Sequence, residues 1–302
     1  MRTLTILCIS LLLVSCGPDR KAQENSESKK LLVAAVNYPL HYFAQRIGGE
    51  LIQLEYPIPA DIDPAYWIPD DEALSVFQLA DIILANGADY AKWMNNVSLA
   101  TSRIHNTSKA AEGKYIELKE TSTHSHGPDG EHEHTGYAFT TWLDFQMAVV
   151  QAEAIKDILL SKLPEHEREI NENYMALHSD LFSLHEAMKG ISILINDQTV
   201  FGSHPVYQYL AKAYGLSIQS VHFEPDELPS EKQWIEFDHL LEHYPSSIML
   251  WEDEPVSELK ALLNKKGLDV VVFNPCANMP DQGDFILSMN KNIKTLEASM
   301  SP

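Results

Sequence analysis

The stretch that decides the fold is Leu31-Leu-Val-Ala-Ala-Val36, a continuous apolar run. Short runs of this kind are typical of parallel strands that are covered on both faces, because neither face then meets water. A helical pattern follows from Pro39 to Ile47 and stops at Gly48-Gly49, and Leu51 to Tyr56 then has the pattern of a strand. Strands that alternate with helices in this way indicate an α/β fold.

The alternation continues as far as a long helix near the middle of the chain. The pattern predicts a helix from Asp70 to Ala80, a strand from Ile82 to Asn86 and a helix from Asp144 to Leu163. After Pro164, apolar residues recur in steps of four and three, which places them on one face of a helix. This apolar stripe consists of Ile170, Tyr174, Leu177, Leu181, Leu184 and Met188. Gly190 is the expected end of the helix.

The second half of the chain alternates in the same way. Strands are predicted near Thr199–Phe201, Leu216–Val221, Ser247–Trp251 and Val270–Phe273. Helices are predicted near Pro205–Tyr214, Ser230–His243, Val256–Lys266 and Asp284–Met300. We therefore predict an α/β protein of two lobes, each with a mainly parallel sheet flanked by helices, joined by one long linker helix. The expected bounds are 31–163 for the N-terminal lobe, 164–190 for the linker helix and 191–302 for the C-terminal lobe.

The first residues have the pattern of an export signal. Arg2 supplies a short positive start, and Leu4 to Val14 is apolar but too short to span a bilayer. The run ends in Leu13-Val14-Ser15-Cys16, which resembles the bacterial lipobox, so Cys16 is the predicted lipidation site after removal of residues 1–15. The alternative is an ordinary cleaved signal with a chance cysteine. Residues 16–30 are polar and are predicted to form a flexible tether.

Composition narrows the classes of function. The chain has 302 residues, 45% of them hydrophobic, and a formal net charge of −21. An acidic protein without a basic stripe is not expected to bind nucleic acid. No later segment is apolar for long enough to cross a bilayer, so we expect a protein that is anchored to a membrane. Of three cysteines, only Cys276 would remain as a free thiol in the mature chain, so no internal disulfide is expected.

A histidine-rich segment points to a transition metal. Four of the 13 histidines lie close together, as His124-Ser-His126-Gly-Pro-Asp-Gly-Glu-His132-Glu-His134. Imidazole suits zinc or copper better than manganese, which prefers oxygen donors. We predict that this segment, in a polar loop at 120–136, contacts the metal either in the binding site or as a collector that passes it on. A polar loop with incidental metal affinity is the alternative.

Several motifs, taken in order, resemble one protein family. They are Tyr38-Pro-Leu with Ile47-Gly-Gly, Ala80-Asp-Ile-Ile-Leu-Ala-Asn-Gly87, Trp142-Leu-Asp144, Ser203-His204 with Tyr209-Leu-Ala-Lys-Ala-Tyr-Gly215, and Phe223-Glu-Pro with Pro229-Ser-Glu-Lys-Gln233. Together they resemble the zinc and manganese solute-binding proteins of bacterial ABC importers, a group that includes adhesin-like lipoproteins. The resemblance covers nearly the whole mature chain.

The resemblance implies a binding protein and not an enzyme. Such a protein is a monomer, is held by a lipid outside the cytoplasm, in the periplasm or at the cell surface, and presents its metal to the permease and ATPase of an importer. Zinc is the expected cargo, with manganese or copper as alternatives. The ion would lie between the lobes, and the long helix would permit only small lobe movements. Because a bound imidazole must be deprotonated, metal affinity is expected to fall below about pH 6.5.

The family's ligand positions are only partly kept in this chain. By the resemblance they fall at Ala65, Thr140, His204 and Asn274, so His204 alone is an expected ligand type. One imidazole cannot hold zinc tightly, because zinc sites use about four ligands. The histidine-rich segment could supply the missing donors. Nearby carboxylates could also do so, namely Asp63, Asp70, Asp71, Glu252, Asp253 and Glu254.

The remaining histidines have simpler expected roles. Those expected on solvated helix faces are His166, His178, His185, His239 and His243. His41 and His222 could each line the cleft between the lobes. His204 could instead be a helix cap, since Pro205 is a residue type favoured at the first position of a helix.

Other functions stay open at this point. A chain that has lost metal ligands could serve as a surface adhesin or as a periplasmic metal buffer without a role in transport. A metallohydrolase would need an open coordination position and a general base, and the chain carries no complete zincin motif, nucleophile elbow or Walker loop.

Overall fold

The N-terminal lobe is built on a four-stranded parallel sheet in the computed structural model, which describes residues 30–118, 123–125, 131–133, 136–195 and 198–300. Its strands are β1 (Leu31–Ala35), β2 (Ile52–Glu55), β3 (Ile82–Ala85) and β4 (Ile104–Asn106). They lie in the order β2-β1-β3-β4, and each neighbouring pair is parallel. The predicted signal segment, the lipidation site Cys16 and residues 16–29 of the predicted tether lie outside the described residues.

A short antiparallel hairpin stands apart from this sheet. Its strands are β5 (Thr123–Ser125) and β6 (Glu131–Glu133), and His124 is the register partner of His132. The segment 120–136 was expected to be a loop, so this expectation is wrong for the two strands. The segment contains no alternating apolar residues, so a search for that pattern does not find the two strands.

The C-terminal lobe contains the second parallel sheet. Its strands are β7 (Thr199–Gly202), β8 (Ser217–Ser220), β9 (Ile248–Trp251) and β10 (Asp269–Val272). They lie in the order β10-β9-β7-β8, with all neighbouring pairs parallel. Two parallel sheets flanked by helices confirm the predicted fold class.

The helices of the N-terminal lobe begin where side chains can cap them. They are α1 (Tyr38–Gly48), α2 (Asp71–Leu79) and α3 (Phe145–Lys162). The side chain of the preceding residue accepts a backbone N–H of the first turn in each case, from Asn37, Asp70 and Asp144 respectively. Short polar side chains at this position satisfy amide groups that have no partner inside the helix.

The long helix α4 (Glu167–Ile195) connects the lobes. The predicted stripe from Ile170 to Met188 is buried, and it continues through Ile191 to Ile195. The helix therefore passes through Gly190, and the expected end at this glycine is wrong. Gly190 is exposed, and a glycine inside a helix costs only about 1 kcal/mol, which the further buried turn can offset.

The helices of the C-terminal lobe complete the fold. They are α5 (Gln208–Tyr214), α6 (Glu231–His243), α7 (Ser257–Lys265) and α8 (Phe285–Ala298). Because α5 begins at Gln208 with Tyr207 as its N-cap, His204 is not a helix cap, and that alternative is wrong. Among the described residues, no helix is both long enough and apolar enough to cross a bilayer.

The two lobes share one apolar core. A single cluster of buried side chains contains Val33 of the first sheet, Leu181 of α4 and Leu250 of the second sheet. A wide separation of the lobes would expose part of this cluster to water, at about 25 cal/mol for each Å² of apolar surface. This continuity supports the expectation that lobe movements are small.

One histidine of α4 helps to join the elements. His185 was expected on a solvated face, but only 9% of its surface is exposed. Its Nδ1 lies 3.1 Å from the Tyr214 hydroxyl of α5, and its Nε2 lies 3.2 Å from Nε2 of Gln146 in α3. The expectation is wrong because helix spacing alone does not show which neighbouring elements cover a face.

Candidate metal site

The site lies at the point in the second sheet where successive strands are added on opposite sides of β7. From β7 the chain crosses to β8 on one side and then to β9 on the other, so a crevice opens beyond the carboxyl ends of β7 and β9. Ligands of open α/β sheets bind at such a switch point. Ser203 is held there on both sides, since its N–H donates to the carbonyl of Leu250 (2.8 Å) and its carbonyl accepts from the N–H of Phe223 (3.0 Å). The next residue, His204, is therefore fixed at the crevice.

The imidazole of His204 lies between two carboxylates from different strand ends. Its Nε2 is 3.2 Å from Oε1 of Glu224, which follows β8. Its Nδ1 is 3.1 Å from Oε1 of Glu252, which follows β9 directly. The ring is 7% exposed, so both contacts are largely screened from water. A ring with a hydrogen-bonded carboxylate at each nitrogen carries a proton on both nitrogens.

These carboxylates change the charge of His204. Burial alone would lower the pKa of the imidazole, but the hydrogen bonds and charges of Glu224 and Glu252 outweigh burial and raise the pKa to about 10. The ring is therefore an imidazolium at neutral pH. A metal ion can bind only after displacing one of these protons.

A cavity of about 970 Å³ opens beside His204. One wall comes from the N-terminal lobe, between Pro57 and Val76, and the other comes from residues that follow β7, β8 and β9. Glu224 and Glu252 line it together with His204. The cavity between the lobes is thus open to a cation, and the imidazole lies in its wall.

At the corresponding switch point of the first sheet, polar side chains bond to one another. Asn37 follows β1 and Asn86 follows β3, and the amide of Asn37 donates to Oδ1 of Asn86 (3.2 Å). Gln151 and Thr141 also donate to this Asn86 oxygen. Buried amide and hydroxyl groups satisfy one another there, so this switch point is closed by the protein's own side chains.

The three positions that depart from the family's metal-ligand pattern make structural contacts instead. Thr140 is buried, and its hydroxyl donates to the carbonyl of Val206, which connects the lobes (2.5 Å). Oδ1 of Asn274 accepts from the N–H of Cys276 in a local turn (2.6 Å). Ala65 packs against the main core cluster. None of these three lines the described cavity.

Four of the six carboxylates considered as replacement donors line the cavity. They are Asp63, Asp70, Glu252 and Asp253. Asp70 is committed to capping α2, and Asp63 accepts from the N–H of Ala65. Of this set, Glu252 is in direct contact with His204. Glu224 was missed as a donor, although its motif Phe223-Glu-Pro had been noted, because the sequence does not show that β8 lies beside β7.

The other histidines that were candidate ligands lie in different parts of the molecule. His222 lies near the site, with its ring centroid 6.0 Å from that of His204. His41 packs against Tyr38 and Tyr56 in the N-terminal lobe and does not line the cavity. Of the histidine-rich segment, the structure describes only the backbone pairing of His124 with His132. His126 and His134 lie outside the described residues.

The donors among the described residues do not form a complete metal site by themselves. Across the described ranges, no group of three His, Cys, Asp or Glu residues has the geometry to hold a metal ion. At His204 the two carboxylates lie at opposite ring nitrogens, so an ion bound to one nitrogen lies on the side of one of these carboxylates. The described site thus offers a mixed nitrogen and oxygen donor pair.

Comparison with known proteins places the chain in a family. The family model of the zinc-uptake complex component A, periplasmic, matches residues 33–299. The high-affinity zinc uptake system protein ZnuA of Bacillus subtilis is 23% identical over 307 residues, which cover 96% of this chain and 94% of the relative. The manganese ABC transporter substrate-binding lipoprotein scaA of Streptococcus gordonii is 23% identical over 240 residues, 76% of this chain and 75% of the relative.

Solved structures show the same fold. The Zn(II)-bound ZnuA-like domain of AdcA from Streptococcus pneumoniae has a TM-score of 0.75 and 21% identity, covering 90% of this chain and 99% of that domain. Against the longer Zn(II)-bound AdcA the TM-score is also 0.75, but the chain spans only 58% of that protein's length. The match of the family model over almost all of the described residues shows that the chain belongs to the family of periplasmic zinc-uptake components, which are substrate-binding proteins and not enzymes.

Proposed function

We propose that this protein captures a divalent transition metal outside the cytoplasm, with zinc as the main cargo, and presents it to the permease and ATPase of an ABC importer. The observation that carries the proposal is His204, fixed at the switch point of the second sheet in the wall of the cavity between the lobes. The relatives with zinc and manganese in their names support the choice of cargo.

The donor chemistry favours zinc over the alternatives. An imidazole with one carboxylate provides a borderline donor pair that suits zinc, whereas manganese prefers oxygen donors alone. Copper accepts imidazole equally well, so a competition between the three metals decides among them. We expect zinc and copper to displace manganese from the purified protein and not the reverse.

The direct test is zinc titration of metal-stripped protein by calorimetry. Wild-type protein is expected to take up zinc in the cavity, and His204→Ala to lose that binding. The matched control is His239→Ala, which removes an exposed histidine on α6 that does not line the cavity. Equal zinc binding by His204→Ala and wild type would refute the assignment of His204.

The two carboxylates give a second prediction. Glu224→Gln and Glu252→Gln should each weaken zinc binding, because one of these residues shares the ion with a ring nitrogen and the other orients the ring through the opposite nitrogen. The loss of an orienting partner typically costs 10–100-fold in metal affinity, so a loss of about that size is expected for each variant. Calorimetry measures it, and unchanged affinity in both variants would contradict this arrangement.

The histidine-rich segment is proposed as a collector that raises the local metal concentration. Its ends are joined by the β-bridge between Glu117 and Tyr137, so a deletion of residues 122–135 can close without moving the rest of the lobe. We expect the deletion to slow zinc loading in stopped-flow experiments and to leave the final occupancy of the His204 site unchanged. Loss of the His204 site in the deletion would make the segment part of the site itself.

The membrane setting is proposed from the sequence and from the lipoproteins among the relatives. We expect a monomer that is anchored by a lipid on Cys16, and Cys16→Ser to release the protein from the membrane fraction. In the source bacterium, His204→Ala should reduce growth under zinc chelation as strongly as gene deletion does. Growth unaffected by deletion would instead support an adhesin or a metal buffer.

A further inference from the structure

The cavity beside His204 is much larger than a bare metal ion requires. Closed zinc sites hold the ion between protein donors at about 2.0–2.3 Å and leave no free volume. The cavity here has about 970 Å³, which is at the upper end of the roughly 300–1,000 Å³ typical of pockets for small organic ligands. A lone ion bound to His204 would leave most of this volume without a role.

The described contacts of His204 supply only part of the coordination of an ion. A bound ion can take one nitrogen of His204 and one carboxylate, from Glu224 or from Glu252. Zinc holds about four ligands, so two or more positions would have to be filled by groups that do not come from the described residues.

The walls match a bulky cation. Seven of the lining side chains are Asp or Glu, and no Lys or Arg is among the described residues that line the cavity. Tyr66 and Trp67 also line it, so aromatic side chains lie in the same wall as Asp61, Asp63, Asp70 and Glu72. Carboxylates accept N–H and O–H groups, whereas aromatic rings pack against carbon and attract cations.

A buried polar group in the cavity wall supports this conclusion. Ser203 is 1% exposed and lines the cavity, and its Oγ has no hydrogen-bond partner among the described residues. An unsatisfied buried hydroxyl costs about 1–3 kcal/mol, so a ligand that reaches Oγ after a small shift of the wall gains binding free energy. A metal ion held at His204 does not need this hydroxyl, whereas a ligand with polar groups of its own could use it.

We propose that the cavity accepts the metal ion together with a small chelating ligand, so that the cargo is a cationic metal complex with N–H or O–H groups on its surface. His204 and one carboxylate complete the coordination of the metal, while the acidic and aromatic walls recognise the ligand. This inference rests on the proposed function, since it concerns the form in which the metal enters the same site.

The probe is zinc bound to diethylenetriamine, a neutral tridentate amine that leaves the complex doubly positive with room for further donors. Native mass spectrometry should show protein, zinc and triamine together, and calorimetry should show binding at least about tenfold tighter than that of zinc alone. The complex of zinc with EDTA is the control, because it is negatively charged and its ligand occupies the coordination positions.

Variants test whether the cavity volume is responsible. Val76→Trp on α2 fills part of the cavity, because Val76 lines it. Ser75→Trp is the matched control, since the neighbouring Ser75 is exposed and does not line the described cavity. Val76→Trp should abolish the preference for the zinc–triamine complex and retain binding of zinc alone, whereas Ser75→Trp should change neither.

The outcomes separate this inference from the proposed function. If zinc binds at His204 and added triamine strips it from the protein, the cavity takes the bare ion and the inference is overturned while the proposed function stands. If neither zinc nor its triamine complex binds, both fail. A preference for the complex that survives Val76→Trp would also overturn the role of the cavity.

Discussion

At the scale of single residues, one imidazole is held by two carboxylates that come from different strands. Glu224 and Glu252 keep His204 charged, so a metal ion that binds to this ring would have to displace a proton. The same contacts fix the plane of the ring before the metal arrives. Metal binding therefore does not require the ring to be reoriented, although a proton must be displaced from it.

The protonation of His204 makes metal binding depend on pH well above neutrality. Because its pKa is raised to about 10, each zinc bound between pH 7 and 9 should release about one proton, and affinity should rise about tenfold per pH unit. Calorimetry in buffers of different ionisation enthalpy counts the protons. The sequence alone led to an expected plateau above about pH 6.5, and such a plateau would contradict the charged ring.

A second histidine, His41, is expected to make the free energy of unfolding depend on pH. Burial lowers the pKa of His41 to about 4, and the charge of Glu55 opposes this shift. The folded protein therefore holds His41 neutral where the unfolded chain takes up a proton, so its contribution to stability falls as pH drops from about 6.5 towards 4. His41→Phe should reduce this acid destabilisation by roughly 2 kcal/mol.

Urea unfolding between pH 7 and 4.5 measures the effect of His41→Phe. His239→Phe is the control, because this histidine is exposed on α6. Equal acid sensitivity in the two variants and in wild type would show that His41 titrates normally in the folded protein.

How far the site could be predicted depends on where each residue lies in the chain. His204 and Glu252 were candidates because one lies in a recognisable motif and the other follows an apolar strand. Glu224 is 20 residues from His204, and the order in which strands lie side by side cannot be obtained from one sequence. The residues that line the cavity could not be predicted either, because they come from segments 57–76 and 203–253, which only the packing of the lobes brings together.

At the scale of elements, apolar periodicity predicted the helices and strands well where burial is one-sided or complete. Seven of the eight main-sheet strands coincide with the predicted runs to within a residue or two, and the three-residue strand β4 was not predicted. Periodicity failed at the hairpin of β5 and β6, whose residues are polar. It also failed at Gly190, where the buried stripe of α4 outweighs the low helix propensity of one residue.

The exposed glycine inside α4 provides a test of this explanation. An added methyl at Gly190 would meet no atom within 4 Å, so Gly190→Ala should stabilise the protein by about 0.5–1 kcal/mol. Gly215→Ala is the contrasting variant, since Gly215 ends α5 with a φ of 66° that favours glycine, and it should destabilise by about 1 kcal/mol. Urea unfolding compares them, and destabilisation by Gly190→Ala would mean that α4 needs the glycine.

At the scale of the whole molecule, the two lobes and α4 share one core, and the cavity beside His204 lies in the remaining space between them. This arrangement favours a site that is open before the cargo arrives over one that is assembled by a large hinge movement. Hydrogen exchange with and without zinc should show protection near His204 and little change along α4. Broad deprotection of α4 in the metal-free protein would contradict a shared core.

The central claim is that a metal ion binds to His204 in the cavity between the lobes. The most direct test is a crystal of stripped protein supplied with equimolar zinc, with anomalous scattering recorded on both sides of the zinc edge. We predict one strong peak in the cavity, about 2.0–2.1 Å from a ring nitrogen of His204. A peak only elsewhere in the molecule, or no peak at all, would contradict the account.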